Sequence, residues 1–181
     1  MGRRLIVASV LTGATLAGLL GIASAASPPT GGPIQFYAPA TDTPAGTIVF
    51  AGAVGDFGKT LSMDKSGKPN TNGNFVKFTL RHGGFVADVT ALNQKAAKAS
   101  PAIVDKATCS FAFGASGPVT LGSGTGLYKG ISGRVSVEIN FLGDGPLYAS
   151  GKKKGQCDMR NSTKLLAQHG WITGHGTVSF R

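Results

Sequence analysis

The sequence predicts an all-β domain closed into a barrel, and three observations carry that prediction. Apolar and polar residues alternate with a period of two in run after run. Glycine, 28 of 181 residues, falls repeatedly inside those runs, where it marks bulges and corners of a tightly curling sheet. Helical periodicity is almost absent. Short strands in this number make a sandwich or a barrel. The glycines favour closure, which also removes the exposed strand edges that an all-β protein has to manage.

Along the chain, residues 1–25 join Arg3 and Arg4 to an apolar stretch and then to Ala23-Ser24-Ala25. That is the pattern of an export signal cut after Ala25, giving a secreted, extracellular protein; an uncleaved membrane anchor is the alternative. Residues 26–44 are rich in Pro, Gly, Ser and Thr and read as a flexible lead-in, part of which, IQFYA, could lie against the domain. The barrel domain is then expected to span 45–181. Its first strand is the apolar, Gly-punctuated run 46–58, followed by a polar loop at 64–74 dense in turn formers. Residues 75–82 alternate, with Val76, Phe78 and Leu80 on one face and Lys77, Thr79 and Arg81 on the other. Gly83-Gly84 is a hairpin signal, and 85–92 forms the returning strand. Residues 93–102 would make one or two helical turns before Pro101. Strands follow at 108–122 and at 134–143, where Val135, Val137, Ile139 and Phe141 alternate with Arg134, Ser136, Glu138 and Asn140. A basic loop at 143–156 precedes a last strand at 170–181, bent at Gly174 and Gly176.

The length fits one domain with room for a real core. The formal charge of +10 suits solubility, or attraction to anionic envelope polymers and lipid head groups. Two cysteines, Cys109 and Cys157, in an exported chain fit one disulfide. It would be worth about 4 kcal/mol on chain-entropy grounds.

The Gly-rich stretch 122–133 could cradle phosphate or turn the chain into a strand. A phosphate loop needs a helix after it, so that backbone N–H groups point at the anion. Here Leu127 stands where the third Gly of a dinucleotide fingerprint belongs, and the residues beyond alternate like a strand. A second near match, AVGDFGKT at 53–60, has Ala53 where a P-loop has Gly, and no helix can follow it. Both are therefore read as turns.

The same stretch resembles the Gly-Thr-Gly-x-Tyr/Phe-x-Gly-x-x-Gly segment of the superfamily of allene oxide cyclase and dirigent barrels. The matching positions are Gly124, Thr125, Gly126, Tyr128, Gly130 and Gly133, over about 20 residues. The resemblance implies an eight-stranded antiparallel barrel with a small, mostly apolar cavity, no cofactor and frequent homo-oligomers. Members with known activity steer the cyclisation or coupling of a hydrophobic or phenolic intermediate. The motif is structural: Gly124 and Gly126 turn the chain, Tyr128 packs as an aromatic plug, and Gly130 and Gly133 allow the bend into the next strand. No position here matches the catalytic acid of the cyclases, so the activity is not carried over.

Glu138 is the only glutamate and sits mid-strand on a polar face; Asp56 and Asp88 also lie in strand-like runs. If the polar faces point inward, Glu138, Asp88 and Arg81 converge on the lumen as ligand-binding groups, with Glu138 the candidate acid. If the apolar faces point inward, they are solvated surface charges. His82, His169 and His175 are not at metal-ligand spacings, so no metal is expected. Lys152, Lys153 and Lys154 would touch an anionic polymer or form a solvated loop tip. Aromatics are not interleaved with them as nucleic-acid binding on a sheet would want. Asn161-Ser162-Thr163 has the form of a glycosylation sequon. The expected function is that of a cofactor-free barrel binding a small hydrophobic ligand. The alternatives are a cyclase- or dirigent-type isomerase and a basic envelope-associated structural protein.

Overall fold

The computed structural model describes residues 30–158, 160 and 164–181. The expected export signal and the sequon lie outside the described residues. The element order is β1 (Gly32–Pro39), β2 (Ala45–Gly52), β3 (Phe57–Met63), β4 (Phe75–Leu80), β5 (Gly83–Asp88), α1 (Thr90–Ala96), β6 (Ala102–Asp105), β7 (Ser110–Gly126), β8 (Ser132–Asp144) and β9 (Ala167–Ser179). The sheet runs β5-β4-β3-β2-β1-β9-β8-β7-β6, and β5 also pairs with β7. That pairing closes an eight-stranded antiparallel barrel and leaves β6 as an extra strand on the outer part of β7.

Several elements differ from the sequence expectation. The barrel begins at Gly32, because 32–39 is no lead-in but a full strand between β2 and β9, with Phe36 opposite both Phe50 and Gly174. Its alternation, Ile34, Phe36 and Ala38 inward, is hidden in a Pro/Gly-rich composition. The run 46–58 is a hairpin, not one strand: β2 turns at residues 53–56 into β3, and the Phe50 N–H donates to the Asp56 carbonyl at 2.7 Å. In the β4–β5 hairpin, Leu80 pairs with Gly83, so the turn is Arg81-His82 and the glycines already belong to β5. Helix α1 starts at Thr90, earlier than expected, and tucks in Leu92, its one buried residue. β9 starts at Ala167 rather than 170.

The apolar face of every period-two run points into the barrel. Ile34, Ile48, Phe50, Phe78, Phe85, Val119, Leu121, Val135, Val137 and Val178 are all buried there. The aromatic members form a column. Phe36 meets Phe50 at 5.3 Å between ring centroids, Phe50 meets Phe78 at 5.3 Å, Phe78 meets Phe85 at 5.0 Å, and Phe85 meets Tyr128 at 5.6 Å. Tilted and edge-on pairs of this kind add about 0.5–1.5 kcal/mol each beyond area burial.

The Gly-rich stretch is the β7–β8 hairpin, with no helix after it. Tyr128 N–H donates to Thr125 O and Ile131 N–H to Tyr128 O, which folds the turn back beneath the barrel. Gly124 is obligatory because a Cβ there would collide with the Tyr128 carbonyl. Gly130 has φ +79°, and a Cβ there would strike the Arg181 backbone, so the turn and the chain end pack only without a side chain. Gly126 closes β7, and Gly133 sits in β8 opposite Leu121 and Val178. At the far end of β7, the buried Cys109 is bonded to Cys157, tying the loop after β8 to the strand start across 48 residues.

Candidate functional site

One end of the barrel holds a cavity of about 250 Å³ that opens to solvent. Its walls are Phe36 and Ala38 from β1, Ile48 from β2, Val76 and Phe78 from β4, Ala87 and Val89 at the end of β5, Val119 and Leu121 from β7, Val137 and Ile139 from β8, and Ile172 from β9. Leu92 of α1 covers one side, and the helix is anchored by Asn93, whose Nδ2 donates to Gly73 O at 3.1 Å and Asn74 Oδ1 at 2.9 Å. Polar atoms come only from uncharged side chains: Thr41 and Thr43 on the β1–β2 loop, Thr60 and Ser62 on β3, Thr71, and Asn93. Among the described residues, no Asp, Glu, His, Lys, Arg, Cys or Tyr lines the cavity. Such a site can desolvate an apolar molecule and hold its shape, but its walls supply neither acid nor base.

The opposite end is closed by a polar knot. Asp56, 4% exposed, receives the Tyr128 hydroxyl at 2.7 Å, the Phe57 N–H at 2.8 Å, the His82 N–H at 3.1 Å and the His82 Nδ1 at 3.1 Å. Burial by itself raises the Asp56 pKa. The bonds from Tyr128, Phe57 and His82 together outweigh it and hold the carboxyl below its usual range. Burial, and then the neighbouring Asp56 charge, push the Tyr128 phenol well above its usual value, so it stays a hydrogen-bond donor. Tyr128 thus plugs the floor, with Phe85 edge-on against it.

The ligand-binding residues expected from the sequence do not meet in the lumen. Arg81, Asp88 and Glu138 are all exposed on the outer side. The reason is the orientation of the strands: Val137 and Ile139 take the inward places in β8, which turns Glu138 to solvent. Arg81 lies over the exposed Phe57 ring at 5.3 Å. Asp88 accepts from Thr90 N–H at 2.9 Å, and the Thr90 side chain, then this N–H, lower its pKa. The weak candidate acid Glu138 therefore has no access to the cavity. Of the histidines, His82 joins the floor knot, while His169 and His175 are exposed, and the described residues contain no cluster able to hold a metal. The basic loop is exposed, with Lys153 and Arg160 stacked at 5.6 and 5.2 Å from the Tyr148 ring.

Among the cavity residues that sequence reasoning missed are Phe36, Thr60 and Ser62. Phe36 was readable from the alternation within IQFYA. Thr60 and Ser62 were not, because β3 has no apolar inward face to reveal it as a strand. Compared with family models, curated proteins and solved structures, the chain finds no match in any of the three.

Proposed function

We propose that this protein is a cofactor-free binding barrel of the allene oxide cyclase and dirigent type, exported from the cell, that takes a small hydrophobic molecule into the open end of its lumen. The observation that carries the reading is the cavity of about 250 Å³ with mostly apolar walls and, among the described residues, no ionisable side chain. The Gly124–Gly133 hairpin, with Tyr128 packed as a plug, supports the family resemblance. The Cys109–Cys157 disulfide suits an oxidising compartment.

Size narrows the ligand. An engineered apolar cavity of about 150 Å³ takes up benzene, so in proportion this one holds roughly ten heavy atoms. Naphthalene is a rigid probe of that size. Titration followed by its fluorescence should show saturable uptake at one site per chain. Ile172→Trp, which fills the cavity from β9, should abolish uptake while thermal unfolding stays cooperative. Uptake that never saturates, or that survives Ile172→Trp unchanged, would overturn the reading. The isomerase alternative shares the site and differs in outcome: it expects the protein to change the product ratio of a spontaneously cyclising or coupling intermediate by holding one conformer.

A further inference from the structure

We infer that the lumen is built for an uncharged ligand with a single hydrogen-bonding group, an alcohol or ketone, which is seated on Thr60 and Ser62 of β3 while its apolar body lies against Phe36, Phe78 and Ile172. The inference rests on the lumen-binding reading and adds the chemistry and orientation of the ligand.

β3 is the exceptional stave of the barrel. The inward positions of its neighbours are apolar, Ile48 and Phe50 on β2 and Val76, Phe78 and Leu80 on β4. Those of β3 are Gly58, Thr60 and Ser62. Register places Thr60 between Gly46 on β2 and Phe78 on β4, and Ser62 beside Val76. Gly46 has no side chain to cover the Thr60 hydroxyl, whose Oγ1 faces the space a Cβ at that position would fill.

The donors of Thr41, Thr43 and Asn93 at the mouth are already engaged. The Thr41 hydroxyl donates to Thr43 O at 2.9 Å, the Thr43 hydroxyl to Ala45 O at 2.9 Å, and the Asn93 amide to Gly73 and Asn74. Thr71 is exposed at the outer lip. The Thr60 and Ser62 hydroxyls are half-buried, line the cavity and have no hydrogen-bond partner among the described residues. Two adjacent hydroxyls, each able to donate and accept, in an otherwise apolar wall, are the fixed polar points by which such a pocket orients a ligand.

The same wall disfavours a charged ligand. A carboxylate on β3 would be withdrawn from water with no cation lining the cavity to compensate it. The basic side chain of α1, Lys95, lies along Gly117 on β7 and does not line the cavity.

The test uses n-octane, n-octanol and n-octanoate, titrated calorimetrically into the wild type, Thr60→Val and Ser62→Ala at low and high salt. n-Octanol should bind roughly tenfold or more tightly than n-octanoate at both salt concentrations. Each substitution should weaken n-octanol about fivefold, the size of one neutral hydrogen bond, and leave n-octane as tight as before or tighter. Thr60→Val conserves shape and removes a hydroxyl that bonds nothing among the described residues, so unchanged thermal unfolding checks that the fold is intact. If n-octanoate equals n-octanol, or n-octanol is indifferent to both substitutions while n-octane still binds, this inference is wrong and lumen binding stands. If none of the three binds, the lumen-binding reading itself is wrong.

Discussion

Replacing Tyr128 by Phe tests the polar floor of the barrel. The change removes one atom, the hydroxyl that donates to Asp56 at 2.7 Å, and keeps the ring that packs against Phe85. A hydrogen bond to an ionised acceptor contributes about 1.5–3 kcal/mol. Asp56 keeps its bonds from Phe57 and His82, so the loss should sit near the middle of that range. Roughly 2 kcal/mol corresponds to a fall in Tm of about 6 °C for a chain of this size. The effect also has a required pH dependence. The folded pKa of Asp56 lies below its ordinary value of 3.8, so the stability it adds is complete above the unfolded value and drains away as pH falls through the folded one. In Tyr128→Phe the folded value moves back up. The gap between wild type and variant is therefore full well above the unfolded value of 3.8 and narrows as pH falls through the folded values, until only a neutral bond to a protonated acid, about 1 kcal/mol, separates them. Equilibrium urea denaturation at several pH values reads both quantities. A difference under about 0.5 kcal/mol at neutral pH, or one that holds constant or widens in acid, would refute the claim that Tyr128 works through an ionised Asp56.

Two glycines of one strand should behave oppositely. Gly124→Ala drives a Cβ into the Tyr128 carbonyl and should cost about 3 kcal/mol or prevent folding, whereas Gly122→Ala meets nothing within 4 Å and should change stability by less than about 0.5 kcal/mol, both read from urea midpoints. Converting Cys109 and Cys157 together to Ser should remove up to about 4 kcal/mol, and dithiothreitol should lower the Tm of the wild type but not of this variant. Glu138→Gln, on the outer face of β8, should leave naphthalene affinity within about twofold; a tenfold loss, about 1.4 kcal/mol, would place that acid within reach of the ligand after all.

The parts of the fold legible in the sequence were those where period two and apolar content coincide. β8 announces itself because Val135, Val137 and Ile139 face in against Arg134, Ser136 and Glu138. β4 does the same through Val76, Phe78 and Leu80. β1 escaped because Pro33, Pro39 and the glycines before it carry the composition of a linker, although barrel closure requires it between β2 and β9. β3 escaped for a deeper reason: its inward face is Gly58, Thr60 and Ser62, so the signal that marks a buried strand face is missing just where the lumen turns polar. The site inherited that blindness. Reading the polar strand faces as candidate lumen led to Arg81, Asp88 and Glu138. The barrel buries its apolar faces, the alternative in which those residues are surface charges, and the polar residues lining the cavity wall include those of the one strand that breaks the pattern.

The barrel separates its polar chemistry by height, and the separation bears on what could happen to a bound molecule. Asp56 is a buried charge of the barrel interior, yet it belongs to the floor, linked through Tyr128, Phe85 and Phe78 to the cavity wall. Its field is met locally by Tyr128, Phe57 and His82, so a ligand in the mouth is surrounded by neutral walls. In such surroundings a reaction needing proton transfer from the lining has no donor or base to use. One that proceeds by itself from a restricted conformer needs none, because fixing the geometry removes much of the entropic part of the barrier. On the proposed lumen-binding reading, binding and conformer steering would be two outcomes of one cavity, with the reactivity of the ligand deciding between them. A stable alcohol would simply be carried. A molecule already set to cyclise would leave with its stereochemistry chosen by Phe36, Phe78, Ile172 and the hydroxyls of β3.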